Sequence, residues 1–203
     1  NARMSDKSMR QPLGPRGQAK PAYESLPAAW AQTEADAQRL ARTGAPVAGV
    51  FGNLKFDAQP DAAQLARGRE WRARIGQPVA MFASSREGEE AELFRLLAAQ
   101  GASGLRWLVV PRHPQRFDEV AALALQAGLS VSRRSEWDVT QAPAAADVWI
   151  GDSLGEMALY YGLADVALLG GSFEPLGGQN LIEAAACGCP VVMGPSTFNF
   201  AEA

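Results

Sequence analysis

Val166-Ala-Leu-Leu-Gly170-Gly-Ser-Phe-Glu-Pro175-Leu-Gly-Gly-Gln-Asn180-Leu-Ile-Glu183-Ala-Ala-Ala-Cys187-Gly188-Cys-Pro190-Val191-Val-Met193 is the stretch whose reading decides the fold. An apolar strand (Val166–Leu169) leads into a glycine-rich loop. A small-residue helix (Leu181–Cys187) follows, stopped at Gly188, and a second apolar run (Val191–Met193) closes the unit. Strand, helix and strand in this order make a βαβ unit. Further apolar runs upstream extend the pattern: Val47–Val50, Val79–Ala83, Trp107–Val110, Leu129–Ser132 and Val148–Ile150. Between them apolar residues recur three or four apart, as at Ala91, Phe94, Leu97 and Ala98, and at Val120, Leu123, Ala124 and Ala127 before Gly128. Thr33 ahead of Glu34–Thr43 and Asp61 ahead of Ala62–Ile75 are expected helix N-caps. The class is α/β: an open, doubly wound parallel sheet, with ligands expected at the C-terminal ends of the strands.

Composition fits a folded domain. The chain has 203 residues, 47% hydrophobic and 20% charged, with 19 basic against 22 acidic side chains and a net charge of −3. This excludes a disordered chain, and the weak acidity argues against nucleic acid as the partner. No apolar run approaches the roughly 18 residues of a membrane span, nor does the N-terminus carry a signal-type core, so the piece is expected to be soluble. Cys187 and Cys189 are too close for an unstrained bridge, and with His113 as the lone histidine a structural zinc site lacks ligands. A reducing, cytosolic setting fits. Both ends read as cut: Asn1 begins without a cap, and Phe198–Ala203 stops where a helix could begin.

Charge is unevenly distributed. Residues 1–20 carry Arg3, Lys7, Arg10, Arg16 and Lys20 against Asp6, whereas beyond Arg134 there are nine acids and no base. An anion bound by that half must be held by backbone amides or by arginines brought in from elsewhere.

Four segments are candidates for chemistry. In the first, Gly177-Gly178-Gln179-Asn180-Leu181-Ile182-Glu183 lets the backbone approach a ligand at a helix entry, where free amides attract phosphate. Glu183, one turn in, would accept hydrogen bonds from a vicinal diol such as ribose. A tight turn and a solvated glutamate explain the same residues structurally. In the second, Gly151-Asp152-Ser153-Leu154-Gly155-Glu156 leaves a strand, either as a site edge or as a capping box of Ser153 with Glu156. The third, Val109 to Phe117, presents Pro111, Arg112 and His113, and Arg112 can offer a planar fork to phosphate. The fourth, Ala83 to Glu90, offers Ser85 and Arg86 as secondary candidates, with a helix cap as the plain alternative. No Ser-His-Asp set, Walker loop or zinc spacing is present, and Gly49-Val-Phe-Gly-Asn53 lacks the third glycine of a dinucleotide fingerprint.

Taken together, these segments resemble the C-terminal half of the 3-deoxy-D-manno-octulosonic acid (Kdo) transferase family of lipopolysaccharide biosynthesis. The matching strings are Asn1-Ala-Arg-Met-Ser-Asp-Lys-Ser8, Gly52-Asn-Leu-Lys-Phe-Asp57, Ala83-Ser-Ser-Arg-Glu-Gly-Glu-Glu90 and Val110-Pro-Arg-His-Pro-Gln-Arg-Phe117. Gly151-Asp-Ser-Leu-Gly-Glu156, Leu163-Ala-Asp165, Gly170-Gly-Ser172, Gly177-Gly-Gln-Asn180 and Gly194-Pro-Ser-Thr-Phe-Asn-Phe200 complete them. Leu181 and Gln179 stand where the family often has proline and histidine; Ser153 and Ser196 replace threonine and histidine.

The resemblance implies the GT-B architecture, two Rossmann-like domains facing across a cleft. Residues 1–30 are then an inter-domain segment and 31–203 the CMP-Kdo-binding domain. It also implies transfer of Kdo from CMP-Kdo to a lipid A precursor at the cytoplasmic face of the inner membrane, with no cofactor and no metal. Catalytic base and membrane anchor would lie in the N-terminal half, so this piece alone would be inactive. Nucleotide contacts carry over to Pro111 and Arg112, to Leu154, Gly155 and Glu156, and to Asn180 through Glu183. A GT-B epimerase or UDP-sugar hexosyltransferase, or a nucleotide-binding module without catalysis, are the alternatives.

Overall fold

The computed structural model describes residues 1–10, 19–57, 59–100, 104–138 and 140–198. Of the prolines and glycines that punctuate the opening, Pro12, Gly14, Pro15 and Gly17 lie outside the described residues, as does the expected helix start beyond Phe198, whereas Pro21 falls within a helix. The chain divides into two compact units, Asn1–Ala58 and Gln59–Ala203.

The first unit holds α1 (Asp6–Arg10), α2 (Ala19–Glu24), β1 (Ala29–Ala31), α3 (Glu34–Arg42) and β2 (Val47–Val50). β1 and β2 pair in parallel as a two-stranded sheet, and Ala2 bridges to Ala31. Thr33 caps α3 by accepting the Asp36 N–H. Buried Asp36 in turn accepts the Met4 N–H at 2.9 Å, which fastens the N-terminal string to the helix. The division after Ala58 differs from the boundary expected after residue 30. The run Val47–Val50 is a strand as expected, but it pairs with β1, which the sequence pattern did not reveal, and joins no strand of the larger sheet.

The second unit runs α4 (Ala62–Arg74), β3 (Val79–Ser85), α5 (Glu89–Gln100), β4 (Arg106–Pro111), α6 (Phe117–Gln126), β5 (Val131–Arg133), β6 (Val148–Ile150), α7 (Met157–Leu163), β7 (Val166–Leu169), α8 (Leu181–Ala186) and β8 (Val191–Val192). All six strands are parallel, in the order β5-β6-β4-β3-β7-β8. Alternate side chains face opposite layers, as the two-residue period of a strand requires. Val79, Met81 and Ala83 of β3, with Leu108 and Val110 of β4, join Trp71, Leu159, Leu163 and Ala184 from α4, α7 and α8. Phe82, Val109, Val148 and Ile150 face Phe94, Val120 and Ala124 from α5 and α6. Helices therefore cover both faces, and the sheet is doubly wound.

Asp61 caps α4, accepting the Ala63 and Gln64 N–H groups at 3.0 and 2.9 Å. β5 begins two residues later than its apolar run suggested. Leu129 donates its N–H to Ala124 and Gly128 donates to Leu125, a Schellman ending with Gly128 at φ +81°. Leu129 thus packs as the hydrophobic close of α6 rather than as strand.

Candidate functional site

Parallel pairing sends the ends of β3, β4, β6 and β7 to one edge of the sheet. β3 lies between β4 and β7, so the chain first builds outward on one side and later returns to the other. The crevice above such a reversal is where open α/β sheets bind ligands.

Glycines let the loops after β3 and β7 come together there. A Cβ on Gly170 would lie 2.4 Å from the Ser84 carbonyl oxygen, so no larger residue fits. Ser84 itself is at φ +54°, where the β3–β4 register slips between Ala83 and Ser85. Strain of this kind in a non-glycine residue persists only where neighbours impose it, and it gathers at functional edges. Buried Glu89 ties the two loops, accepting the N–H of Arg86 at 2.8 Å and that of Gly171 at 2.8 and 3.1 Å. Burial pushes its carboxyl up; the two N–H groups and the neighbouring acids Glu90 and Glu174 act with smaller effect.

Residues 170–180 fold back on residues 194–196. Ser172, buried, accepts the Gly194 N–H at 2.9 Å, and its carbonyl accepts the Ser196 N–H at 3.0 Å. Ser196 in turn accepts the Gly177 N–H at 2.9 Å, and the Gly178 N–H reaches the Gly171 carbonyl at 2.8 Å. Asn180 caps α8 through the Ile182 N–H. Of the expected site residues here, Ile182 is buried with its N–H taken by Asn180, and Leu181 is partly buried against the core. Gln179 and Asn180 are half-buried, whereas Gly177 and Gly178 are buried. The helix ends one residue earlier than expected, at Ala186, with Gly188 left-handed at φ +71°.

Glu183 sits half-buried in the first turn of α8. Burial pushes its carboxyl up, and the guanidinium of Arg112, at the end of β4, draws it back down. The imported arginine that the base-free C-terminal half demanded thus acts on the carboxylate expected to meet ribose. Arg112 and His113 are exposed, and Pro111 is buried in the β3–β4 ladder. Arg86 donates to His113 Nε2 at 3.2 Å, so these two secondary candidates stand together. Ser85 does not face outward. It is 1% exposed, and its hydroxyl donates at 2.8 Å to Glu90, which also takes Arg116 at 2.7 Å. Its position is that of a support beneath the loop.

The loop after β6 is held from below. Asp152 accepts Arg133 at 2.7 Å and the Ser135 hydroxyl and N–H at 2.7 and 2.8 Å. Gln64 donates to the Gly155 carbonyl at 2.9 Å, Gly155 is left-handed at φ +74°, and Leu154 is 74% exposed. Glu156 receives Arg134 at 2.7 Å and also the Ser153 hydroxyl. The expected capping box is not formed: α7 starts only at Met157, and Glu156 stands at its N-cap position with its carboxylate committed to side chains. Arg133 and Arg134 escaped the sequence reading, although a signal existed, since they are the last two bases and directly follow an apolar run. Among the described residues no group of three His, Cys, Asp or Glu could hold a metal ion, and no helix is long and apolar enough to cross a membrane.

Among solved structures, the fold matches the C-terminal CMP-Kdo binding domain of WaaA from Acinetobacter baumannii. The TM-score is 0.62 with 34% identity, over 70% of this chain and 76% of that one. The chain belongs to the Kdo transferase family. The 3-deoxy-D-manno-octulosonic acid transferase of Bordetella pertussis is 49% identical over the whole chain and 48% of its own length, and that of Haemophilus influenzae is 32% identical over the same share of each. The chain therefore spans about half the length of these Kdo transferases. Residues 1–58 match the family model described as 3-deoxy-D-manno-octulosonic-acid transferase (kdotransferase), the same residues as the first compact unit.

Proposed function

We propose that this chain is the donor-binding half of a GT-B Kdo transferase, holding CMP-Kdo where β3, β4, β6 and β7 end. The observation that carries the reading is the reversal of the sheet between β4 and β7, where the glycine loop, the half-buried Glu183 and the Arg112 guanidinium that draws its carboxyl down share one edge. The WaaA domain is named for binding CMP-Kdo, which supports the same ligand here.

In this reading the phosphate of CMP lies near the Gly178–Asn180 turn and Arg112; the Gly178 N–H is taken by the Gly171 carbonyl, so the amides of Gln179 and Asn180 and the planar cation would hold it without a divalent ion. Glu183 accepts the ribose hydroxyls, and Leu154, Gly155 and Glu156 line the far side. As the bond between the Kdo anomeric carbon and the CMP phosphate breaks, that carbon becomes oxocarbenium-like. A base on the N-terminal half takes the proton of the attacking hydroxyl of a lipid A precursor. The same half carries the membrane association, which places the full enzyme at the cytoplasmic face of the inner membrane. No cofactor takes part, and the 203-residue chain alone binds donor without transferring it.

Titration of CMP and of UMP into the purified chain tests this. CMP binding clearly tighter than UMP binding is the expected result. Equal affinities would instead favour a UDP-sugar enzyme, and measurable transfer by this chain would place the base within it.

A further inference from the structure

Arg134, the last basic residue of the chain, is buried where a cation is costly. Its side chain is 11% exposed, and its guanidinium carbon stands 5.7 Å from the Trp71 ring centre and 5.9 Å from that of Trp137. The two rings meet edge to face at 6.0 Å. Its Nε is buried with no hydrogen-bond partner among the described residues, while Nη2 donates to Glu156 at 2.7 Å. Taking such a charge out of water is rarely repaid in stability, and an apolar side chain of similar volume between two tryptophans would serve the core as well.

What the cation does that an apolar residue cannot is fix Glu156. One carboxylate oxygen takes Arg134 and the other the Ser153 hydroxyl, so the carboxylate plane is set from two directions. Ser153 has then spent its proton, so the hydroxyl of Tyr160 is the donor to it. Burial keeps Tyr160 neutral by pushing its phenol far up, and it remains a donor at every physiological pH. Arg133 anchors Asp152 at the start of the same loop, so two consecutive arginines hold both acids of the 151–156 segment.

We propose that Arg134 is a positioning residue of the donor site: held between Trp71 and Trp137, it orients the Glu156 carboxylate and with it the exposed Leu154-Gly155 turn that meets the nucleotide. This rests on the donor-site reading above.

A double-mutant cycle on CMP affinity tests it. Arg134→Met keeps the apolar volume between the tryptophans and should weaken CMP binding about tenfold. Arg134→Lys retains a cation without the planar fork and should recover part of the loss. Glu156→Gln should weaken binding by itself, and in that background Arg134→Met should change affinity less than about twofold. A general packing defect would persist in both backgrounds. Full tenfold loss in the Glu156→Gln background, or an Arg134→Met chain that binds CMP like the parent, overturns the inference while leaving the donor-site reading intact. Should Arg134→Met not fold, Arg134→Lys carries the same cycle. A parent chain that does not bind CMP overturns the donor-site reading and this inference with it.

Discussion

Both carboxylate oxygens of Glu89 accept the backbone N–H of Gly171, at 2.8 and 3.1 Å, which ties the start of α5 to the loop after β7 across the reversal of the sheet. The same carboxylate takes the N–H of Arg86, so one side chain satisfies both loops. Glutamine, like the protonated carboxyl, offers a single full acceptor oxygen, so Glu89→Gln is the uncharged reference for this tie. Burial raises the Glu89 pKa in the folded state. The folded chain therefore binds this proton more tightly than the unfolded one, and the contribution is full below the unfolded value and lost as pH rises through the folded value. Since the amide does not titrate, the parent should lose stability relative to Glu89→Gln as pH rises from about 4.5 through the folded value of Glu89; denaturant melts across that range check the sign.

Close packing of α4 on α7 gives a second prediction. A Cβ on Gly68 would lie 2.2 Å from the Leu159 carbonyl oxygen, and one on Gly162 2.6 Å from that of Leu65. Alanine is the better helix former by about 1 kcal/mol, so propensity alone says Gly68→Ala should stabilise α4. Overpacking against backbone, which cannot swing aside, outweighs it, and we expect a net loss of about 1–3 kcal/mol. A rise in melting temperature for Gly68→Ala would refute the close contact.

Asp152 shows the opposite pH sign. Burial pulls its carboxyl up, but the Ser135 hydroxyl and N–H and the Arg133 guanidinium outweigh it and hold the group below the ordinary aspartate value of 3.8. Its stabilisation is present above the unfolded value and disappears as pH falls through the folded one. Asp152→Asn should be about 2–3 kcal/mol less stable at pH 7, with the gap to the parent closing in acid below 3.8. A gap that stays constant into strong acid would mean the ion pair with Arg133 contributes nothing.

Local chemistry was the legible part of this chain. Thr33 and Asp61 cap the helices that follow them because capping is settled within three residues. Val79–Ala83 and Val166–Leu169 read as strands because being buried on both faces demands unbroken apolar runs. Pairing was not legible: nothing in Ala29-Trp30-Ala31 announces a strand, and nothing in Val47–Val50 says that it pairs with β1 and not with the larger sheet. In the candidate site, the loops were found through their glycines and their position after strands, and Arg112 through the lack of bases beyond Arg134. The residues that hold those loops were not found, since Glu89 with Gly171 and Arg134 with Glu156 are partners brought together only by the sheet. Ser85 failed for the complementary reason, because a hydroxyl in a loop carries no sign of whether it faces ligand or a buried glutamate.

The effect of Arg112 on the Glu183 carboxyl yields the last prediction. Burial raises the Glu183 carboxyl and Arg112 lowers it, the first effect being the larger. If the ionised carboxylate accepts the ribose hydroxyls, CMP affinity must fall with pH earlier than for an ordinary glutamate. Glu183→Gln should weaken CMP binding by about 1–3 kcal/mol near neutrality and should lose that acid-dependent component. Arg112→Met removes the cation that restrains the rise, so its decline should begin at higher pH than the parent's. Arg112→Lys restores the charge and should return the onset toward the parent, although its point charge cannot replace the fork on phosphate and the overall affinity stays lower. Because Arg112 also meets the CMP phosphate, each Arg112 variant is compared with and without Glu183→Gln, and the difference between the paired curves reports Glu183. The expected order of onset, from high pH to low, is Arg112→Met, then Arg112→Lys, then parent, with Glu183→Gln showing only the nucleotide's own titration. Calorimetric CMP titrations at several pH values decide it: a Glu183→Gln curve superimposable on the parent's removes Glu183 from the ribose site, and an unchanged onset in Arg112→Met separates the two residues.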